Sequence, residues 1–219
     1  MPVTLDLFAD IDDGASRQLP LAPGAMLLRG FAVPEEAALF AELQALIGRA
    51  PFRHMVTPGG LRMSVAMTNC GALGWVSDRA GYRYDTVDPE RGRRWPDMPE
   101  AFLALAARAA TQAGFHGFEP DACLINRYVP GSRLSLHQDR DERDFTAPIV
   151  SVSLGLPATF LFGGLQRADQ ALRVPLQHGD VVVWGGPARL RYHGVLALQP
   201  GSHPFAGEHR INLTFRKAR

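Results

Sequence analysis

The sequence predicts a mainly β protein with flanking helices (α+β). Its C-terminal half forms a sandwich or jelly roll, preceded by a helical extension and an irregular, lid-like segment. Three observations carry this. After Asp121, eight short apolar or alternating runs follow one another with turn residues between them, the pattern of an antiparallel sandwich or roll. Before it, two segments repeat apolar residues at helical spacing. Between those two, residues 51–95 hold neither period for long and are rich in Gly, Arg, Met, Thr and aromatics. At 219 residues and 46% apolar content the chain has the size of one domain and can bury a core without staples. The expected organisation is therefore a single domain, 1–219, with 1–120 as extension (lid about 51–95) and 121–219 as core.

In chain order, the first twenty residues are punctuated by Asp and Pro and are expected to lie extended over the surface. Pro34, Glu35 and Glu36 suit a helix start, with proline in the first turn and acids near the positive end of the dipole. Leu39, Leu43, Leu46 and Ile47 then make one apolar stripe, and Gly48 is expected to stop the helix. A second helix is predicted from about Pro99 to Ala113, with Phe102, Leu105, Ala106 and Ala109 inward and Gly114 as its stop. Strands are predicted at Cys123–Val129, Arg133–Gln138, Ile149–Leu156, Thr159–Phe162, Leu172–Leu176, Asp180–Trp184, Arg191–Leu196 and Ile211–Arg216.

Composition excludes several classes. There is no run of about 18 apolar residues, so no membrane-spanning helix is expected. Met1 to Asp13 carries aspartates and lacks the basic start and apolar stretch of a secretory signal, so the expected compartment is the cytoplasm. Cys70 and Cys123 lack CxxC spacing and are expected to be free thiols. The net charge of +1 argues against a protein that coats nucleic acid through many phosphate contacts. It leaves room for one that grips a few phosphates. Of the 23 basic residues all but Lys217 are arginine, whose fork suits carboxylate and phosphate.

The first candidate site is His137-Gln138-Asp139. Residues two apart on a strand share a face, so the imidazole and carboxylate converge while Gln138 turns away. One distant histidine would complete a facial triad, leaving positions open on Fe(II). The motif alone is weak, because 7 histidines and 14 aspartates in 219 residues supply a His-x-Asp about 0.45 times by chance. His178, His193, His203 and His209 compete as third ligand. His178 looks like a turn residue, and His203 and His209 sit in a Pro/Gly loop expected to be solvated. His193 lies in a strand-like run beside Gly194, which permits close approach, and is favoured.

The strand Arg210–Arg216 places Arg210, Asn212, Thr214 and Arg216 on one face and Ile211, Leu213 and Phe215 on the other. Alone this reads as a half-buried strand with a wet polar face. Asn126 and Tyr128, on a strand face with Leu124, add amide and phenol donors to the guanidinium forks, a set that suits a dicarboxylate.

Together, Asn126-Arg127-Tyr128, His137-x-Asp139, His193 and Arg210-x-Asn212-Leu213-Thr214-Phe215-Arg216 resemble the AlkB family of dealkylating dioxygenases. The likeness extends through Leu5-Asp6-Leu7-Phe8-Ala9-Asp10, the stretch from Met55 to Gly60, that from Met63 to Gly71, and Asp180 to Gly186. It implies a double-stranded β-helix of jelly-roll type, with Fe(II) held by His137, Asp139 and His193, and 2-oxoglutarate and O2 as cosubstrates. Arg210, Asn126 and Tyr128 would hold the far carboxylate, Asn212 and Arg216 would approach the one nearer the metal, and Leu124 and Trp184 would wall the pocket.

The resemblance also implies a substrate: alkylated DNA, single strands preferred, with RNA as a further candidate. Trp75 would stack on an extruded base opposite His137, since a base inside a duplex cannot reach the metal. Asp141 would meet the positive charge of bases such as 1-methyladenine or 3-methylcytosine. Arg167 would contact substrate, and Thr57, Met67, Tyr82, Arg133, Ser135, Gln138 and Arg140 would flank base or phosphates. Hydroxylation of the N-alkyl carbon would give a hemiaminal that collapses to aldehyde and repaired base, with succinate and CO2 as co-products. A monomer is expected. The alternative is the same fold acting on a protein or small-molecule substrate, because fold does not fix function.

Overall fold

The computed structural model describes residues 17–219, so the expected extended start and the Leu5–Asp10 motif fall almost entirely outside the described residues. Two antiparallel strands, β1 (Gln18–Ala22) and β2 (Ala25–Leu28), open the described chain, and a 3-10 turn at Val33–Glu35 leads into α1 (Glu36–Arg49). The predicted stripe is present, with Leu39, Leu43 and Leu46 buried and Ile47 packed beside them, but Phe40 joins it. Gly48 does not stop the helix, which runs one residue further. A single exposed glycine costs only about 1 kcal/mol against alanine, less than the buried stripe supplies.

The stretch 51–95 departs most from expectation. β3 (Ala66–Gly71) is buried along its whole length and hydrogen-bonds to a core strand, so this part belongs to the main sheet. Residues 51–65 are irregular, with isolated bridges at Arg53–Met67 and Val56–Arg62. Two small hairpins follow β3: β4 (Gly74–Asp78) with β5 (Gly81–Asp85), and β6 (Val87–Asp88) with β7 (Arg93–Arg94). α2 (Glu100–Gln112) follows, with the four predicted residues buried and Gly114 at φ +88° just past its end.

The eight predicted strands are all present: β8 (Ala122–Tyr128), β9 (Leu134–His137), β10 (Ile149–Gly155), β11 (Ala158–Phe162), β12 (Leu172–Leu176), β13 (Val181–Trp184), β14 (His193–Val195) and β15 (Arg210–Arg216). They form a seven-stranded sheet, β1-β2-β13-β10-β15-β8-β3, and a four-stranded sheet, β12-β11-β14-β9.

Period-two alternation explains the layering. On the large sheet, Cys123, Ile125, Val150, Val152, Val181, Val183, Leu213 and Phe215 pack against Leu39, Leu43, Phe102 and Leu105 of the helices. Their neighbours Leu124, Tyr128, Ile149, Val182 and Trp184 pack with Phe160, Phe162, Val174 and Val195 of the small sheet. The result is helices, large sheet and small sheet in three layers, the site lying in the inner space between the sheets. Cys70 and Cys123 face each other across β3 and β8, both buried and both free thiols, as expected. Burial pushes the Cys123 thiol well above its ordinary value. No helix among the described residues is long and apolar enough to cross a membrane.

Candidate metal and dicarboxylate site

His137, Asp139 and His193 offer ligand atoms that all lie within 4.8 Å of one another. His137 ends β9 and His193 opens β14, and the two are direct cross-strand partners with ring centroids 4.3 Å apart. Asp139 sits just past the end of β9, yet still turns to the same side: its carboxylate lies 3.6 Å from His137 Nε2 and 3.7 Å from His193 Nε2. Each ring is oriented by its other nitrogen. Nδ1 of His137 donates to the Ser135 carbonyl at 2.8 Å, and Nδ1 of His193 to the Arg191 carbonyl at 3.1 Å. Both Nε2 lone pairs are thereby aimed inward, as ligation requires. Gly194 permits this approach, since a Cβ there would stand 2.7 Å from the Leu134 carbonyl oxygen of β9.

The electrostatics suit a cation. Burial pushes the Asp139 carboxyl up, but Arg216 and the two histidines outweigh it and hold the group well below the carboxylate range. Arg216 donates to Asp139 Oδ2 from Nε at 2.9 Å and from a terminal nitrogen at 2.6 Å. Burial, together with the nearby His137, lowers His193 to about 4, so it is neutral at pH 7. Two imidazoles and one carboxylate are the donor set a divalent iron takes.

Beside this cluster the inner face of β15 is buried throughout. Its polar face is therefore not wet; it is the lining of the roll. Asn212 donates to Ser151 Oγ at 2.8 Å and to the Val152 carbonyl at 2.9 Å, and accepts from Thr214. All these bonds are to protein, so Asn212 reaches a cosubstrate only by exchanging one. Arg210, 1% exposed, lies over the Tyr128 ring at 5.0 Å and donates to Ser153 Oγ at 2.9 Å. Its other two nitrogens have no partner, nor do the buried Asn126 Oδ1 and Trp184 Nε1. Such groups cost about 1–3 kcal/mol each when left unpaired, and a buried guanidinium calls for an anion. A dicarboxylate provides one. The residues present therefore fit both the metal and 2-oxoglutarate.

A second cluster was not foreseen. In the charged run from Asp139 to Asp144 a solvated side chain is the ordinary expectation, yet Glu142 is buried. It accepts from the Tyr84 hydroxyl at 2.6 Å and lies 3.1 Å from Arg189 and 3.4 Å from Arg216. Arg189, also buried, donates to the Asp139 carbonyl at 2.8 Å. These contacts tie the β4–β5 hairpin to the segment carrying Asp139. No local signal marks Glu142, because its partners are all distant in sequence.

The outer residues divide. Trp75 is half-buried on β4; its indole Nε1 donates to Asp141 Oδ2 at 2.7 Å, and its ring stacks on Tyr82 at 5.6 Å. Asn69 of β3, also unforeseen, grips the Trp75 backbone by two reciprocal bonds of 3.0 Å. Asp141 and Tyr82 are exposed beside it. Arg167 is exposed with its guanidinium over Tyr192 at 5.4 Å. Gln138 turns away, as alternation requires, and donates to the Leu190 carbonyl at 2.6 Å. Thr57 closes a turn with Leu61, and Arg133, Ser135 and Arg140 are exposed. Met67, 2% exposed, packs in the inner core with Leu124 and Tyr128 and presents no surface. His178 accepts from the Gly155 amide and pairs with Glu36, while His203 and His209 are half-buried; none joins the triad.

A roll that brings two histidines and one carboxylate beside a buried, unpaired guanidinium defines a non-haem iron oxygenase that uses a keto acid. Residues 24–216 match the 2OG-Fe(II) oxygenase superfamily, and the chain belongs to it as an Fe(II)- and 2-oxoglutarate-dependent enzyme. It is 58% identical over 214 residues to the alpha-ketoglutarate-dependent dioxygenase AlkB of Escherichia coli, with 98% of each chain covered. It is 45% identical over 206 residues to the AlkB homolog of Caulobacter vibrioides, covering 93% of this chain and 92% of that one. The structure of OsALKBH1 superposes with a TM-score of 0.80 at 30% identity, over 91% of this chain and 99% of that one. Within the superfamily, then, the chain is a member of the AlkB family.

Proposed function

We propose that this enzyme oxidatively dealkylates nucleobases of the 1-methyladenine and 3-methylcytosine type, in DNA and as a further substrate in RNA. The observation that carries the reading is the Trp75–Asp141 pair at 2.7 Å, exposed beside the metal-binding strand end. An aromatic face and a carboxylate held together favour a flat, positively charged ligand over a neutral one, by stacking and by Coulomb attraction. Relatives support the substrate class. A mouse relative is named a nucleic acid dioxygenase and a Schizosaccharomyces pombe relative a tRNA demethylase.

In this reading His137, Asp139 and His193 bind the iron. Arg210 closes its empty fork on the far carboxylate of 2-oxoglutarate, with Tyr128 and Asn126 beside it. Trp184 and Leu124 exclude water. Trp75 stacks on the extruded base, Tyr82 backs Trp75, and Asp141 faces the cationic ring. Arg167, Arg133, Arg140, Thr57, Ser135 and Gln138 flank the strand; Met67, buried with Leu124 and Tyr128, supports the site only through the core behind it. Bound iron, 2-oxoglutarate and O2 supply hydroxylation of the N-alkyl carbon. The hemiaminal then expels the neutral base and an aldehyde, while the cosubstrate leaves as succinate and CO2. The alkyl carbon is oxidised and no protein side chain is consumed.

The same reading takes residues 1–219 as one catalytic domain, acting as a monomer on single strands in the cytoplasm. The pairing of β3 with β8 supports one unit, and the free thiols suit a reducing compartment. The test is aerobic turnover of a single-stranded oligonucleotide carrying 1-methyladenine. Iron-dependent succinate and formaldehyde in equal amounts are expected. Their absence on both this lesion and 3-methylcytosine, with iron bound, would refute the substrate assignment.

A further inference from the structure

The whole-chain charge of +1 hides one local concentration. An open cavity of about 590 Å³ lies between the C-terminal end of α1 and the β6–β7 hairpin, lined by Arg49, Arg91, Arg93 and Arg94. All four are exposed, and none takes part in an ion pair among the described residues. Two acids share the lining. Asp88 is paired with Arg53 at 2.6 Å, a guanidinium that Glu90 shares at 3.0 Å, and Asp97 is the other, so the four lining cations exceed the lining acids by two positive charges.

This hairpin is built rather than frayed. Asp88 accepts from the Glu90 amide through its carboxylate at 3.0 Å and from the Gly92 amide through its carbonyl at 2.8 Å. Gly92 takes φ +64°, which a turn there needs. The cavity also adjoins the hairpin that carries Trp75. Buried Trp95 lines it and donates its indole N–H to the Asp85 carbonyl of β5 at 3.0 Å. The same edge of the indole lies against Gly74, the cross-strand partner of Asp85, where a Cβ would stand only 2.4 Å from the ring. Gly74 immediately precedes Trp75.

We propose that this arginine groove binds phosphate, and that its ligand is the sugar–phosphate backbone flanking the nucleotide held at Trp75. The proposal rests on the nucleic-acid reading above. Arginine forks pair with phosphate oxygens in bidentate fashion. The groove is open, with three exposed cations on the β6–β7 hairpin and one at the end of α1; such a two-sided, solvent-facing arrangement suits a strand better than a single enclosed anion. It gives an otherwise nearly neutral protein a sequence-independent hold on the polymer.

Equilibrium binding without oxygen, to iron- and 2-oxoglutarate-loaded full-length protein, separates this from the chemistry. Two probes are used: a trinucleotide with a central 1-methyladenine, and the same lesion in a strand of roughly 16 nucleotides, the upper range of a single-strand site. The triple variant Arg91→Ala, Arg93→Ala, Arg94→Ala should weaken the long strand at least about tenfold. It should also flatten its salt dependence by about 2 in log–log slope, since each single-strand phosphate contact contributes about 0.7. Trinucleotide affinity should stay the same, and the triple Lys variant should recover most of the long-strand binding. Inorganic phosphate at millimolar levels should leave the trinucleotide unaffected and compete only weakly with the long strand; strong competition would point to a free-anion site and overturn the assignment to backbone. Unchanged long-strand affinity and slope, or equal losses on both probes, would overturn it too. Normal groove-dependent binding without turnover would count against the dealkylation reading and leave the groove standing.

Discussion

The inner face of β15 and the β4–β5 hairpin both present polar and aromatic groups, but they are built in opposite ways. On β15 the chain alternates strictly. Arg210, Asn212, Thr214 and Arg216 are each buried, and hydrogen bonds to Ser151, Ser153, Val152 and Asp139 fix them. The strand is paired on both sides, with β10 and β8. The hairpin pairs only with itself. It is anchored by Asn69 behind Trp75, by Trp95 beneath Gly74 and by the Tyr84–Glu142 bond, while Tyr82 lies 47% exposed. The contrast teaches where each task sits. The groups that suit a dicarboxylate lie on buried, doubly paired strands, and the metal-ligand cluster is fixed by the β9–β14 pairing and by the bonds from Arg216 to Asp139. Groups that must admit and judge a bulky polymer lie on an exposed element with a few specific ties.

Substitutions test that division, the largest effects belonging to the buried side. Asp139→Ala should abolish turnover and lower iron content, measured by metal analysis; near-normal activity would mean that the ligand is misassigned. Arg210→Met keeps the volume and removes the charge. It should raise the 2-oxoglutarate KM by about 30-fold or more, as loss of a buried charge partner costs about 2–5 kcal/mol. An unchanged KM would place the cosubstrate elsewhere.

Glu142→Gln sits on the tie between the two regions and sharpens the comparison most directly. It leaves Arg189 without its carboxylate, and a buried pair broken on one side loses about 3–5 kcal/mol. Thermal denaturation should show a clear fall in Tm, whereas an exposed residue in that place would give almost none.

On the outer side, Trp75→Ala should weaken lesion binding by about 1–3 kcal/mol, the worth of one stacked base, with the 2-oxoglutarate KM unchanged. Asp141→Ala should narrow the preference for cationic over neutral lesions while iron binding persists; equal kinetics on both lesion types in the two proteins would remove Asp141 from base selection.

Acid gives the smallest and most graded effect. His193 has a folded value of about 4, below its usual 6.5. Above pH 6.5 it is neutral in both states, and between 6.5 and 4 the unfolded chain gains protons first. Asp139, held low, adds a loss of the same sign below about 3.8. Metal-free protein should therefore lose stability progressively from pH 6.5 downward, measured by urea denaturation; a flat profile between 6.5 and 4 would contradict the burial of His193.

Much of this was legible locally. The eight core strands, both helices and the inward faces of β8 and β15 follow from period-two and helical spacing, because side-chain direction is fixed by backbone geometry within a few residues. The His137–Asp139 pair and the preference for His193 followed from strand context in the same way. The burial of β3 was missed because Ala66–Gly71 has polar Thr68 and Asn69 in an otherwise weak pattern. Thr68 donates to the Ala50 carbonyl, and Asn69 grips Trp75.

By itself, then, the sequence determined the elements and the ligand types, and its resemblance to a family determined which residues belong together. Only the tertiary structure decided which charges are buried. Glu142 and Asp141 are neighbours of one kind in one charged run, yet one is locked among Tyr84, Arg189 and Arg216 and the other reaches out to Trp75. Similarly, Arg210 is enclosed with part of its fork unpaired, while Arg91, Arg93 and Arg94 line an open groove. The reason is physical. Alternation along a strand is a local property of the backbone, but the fate of a charge depends on whether water or a distant partner surrounds it.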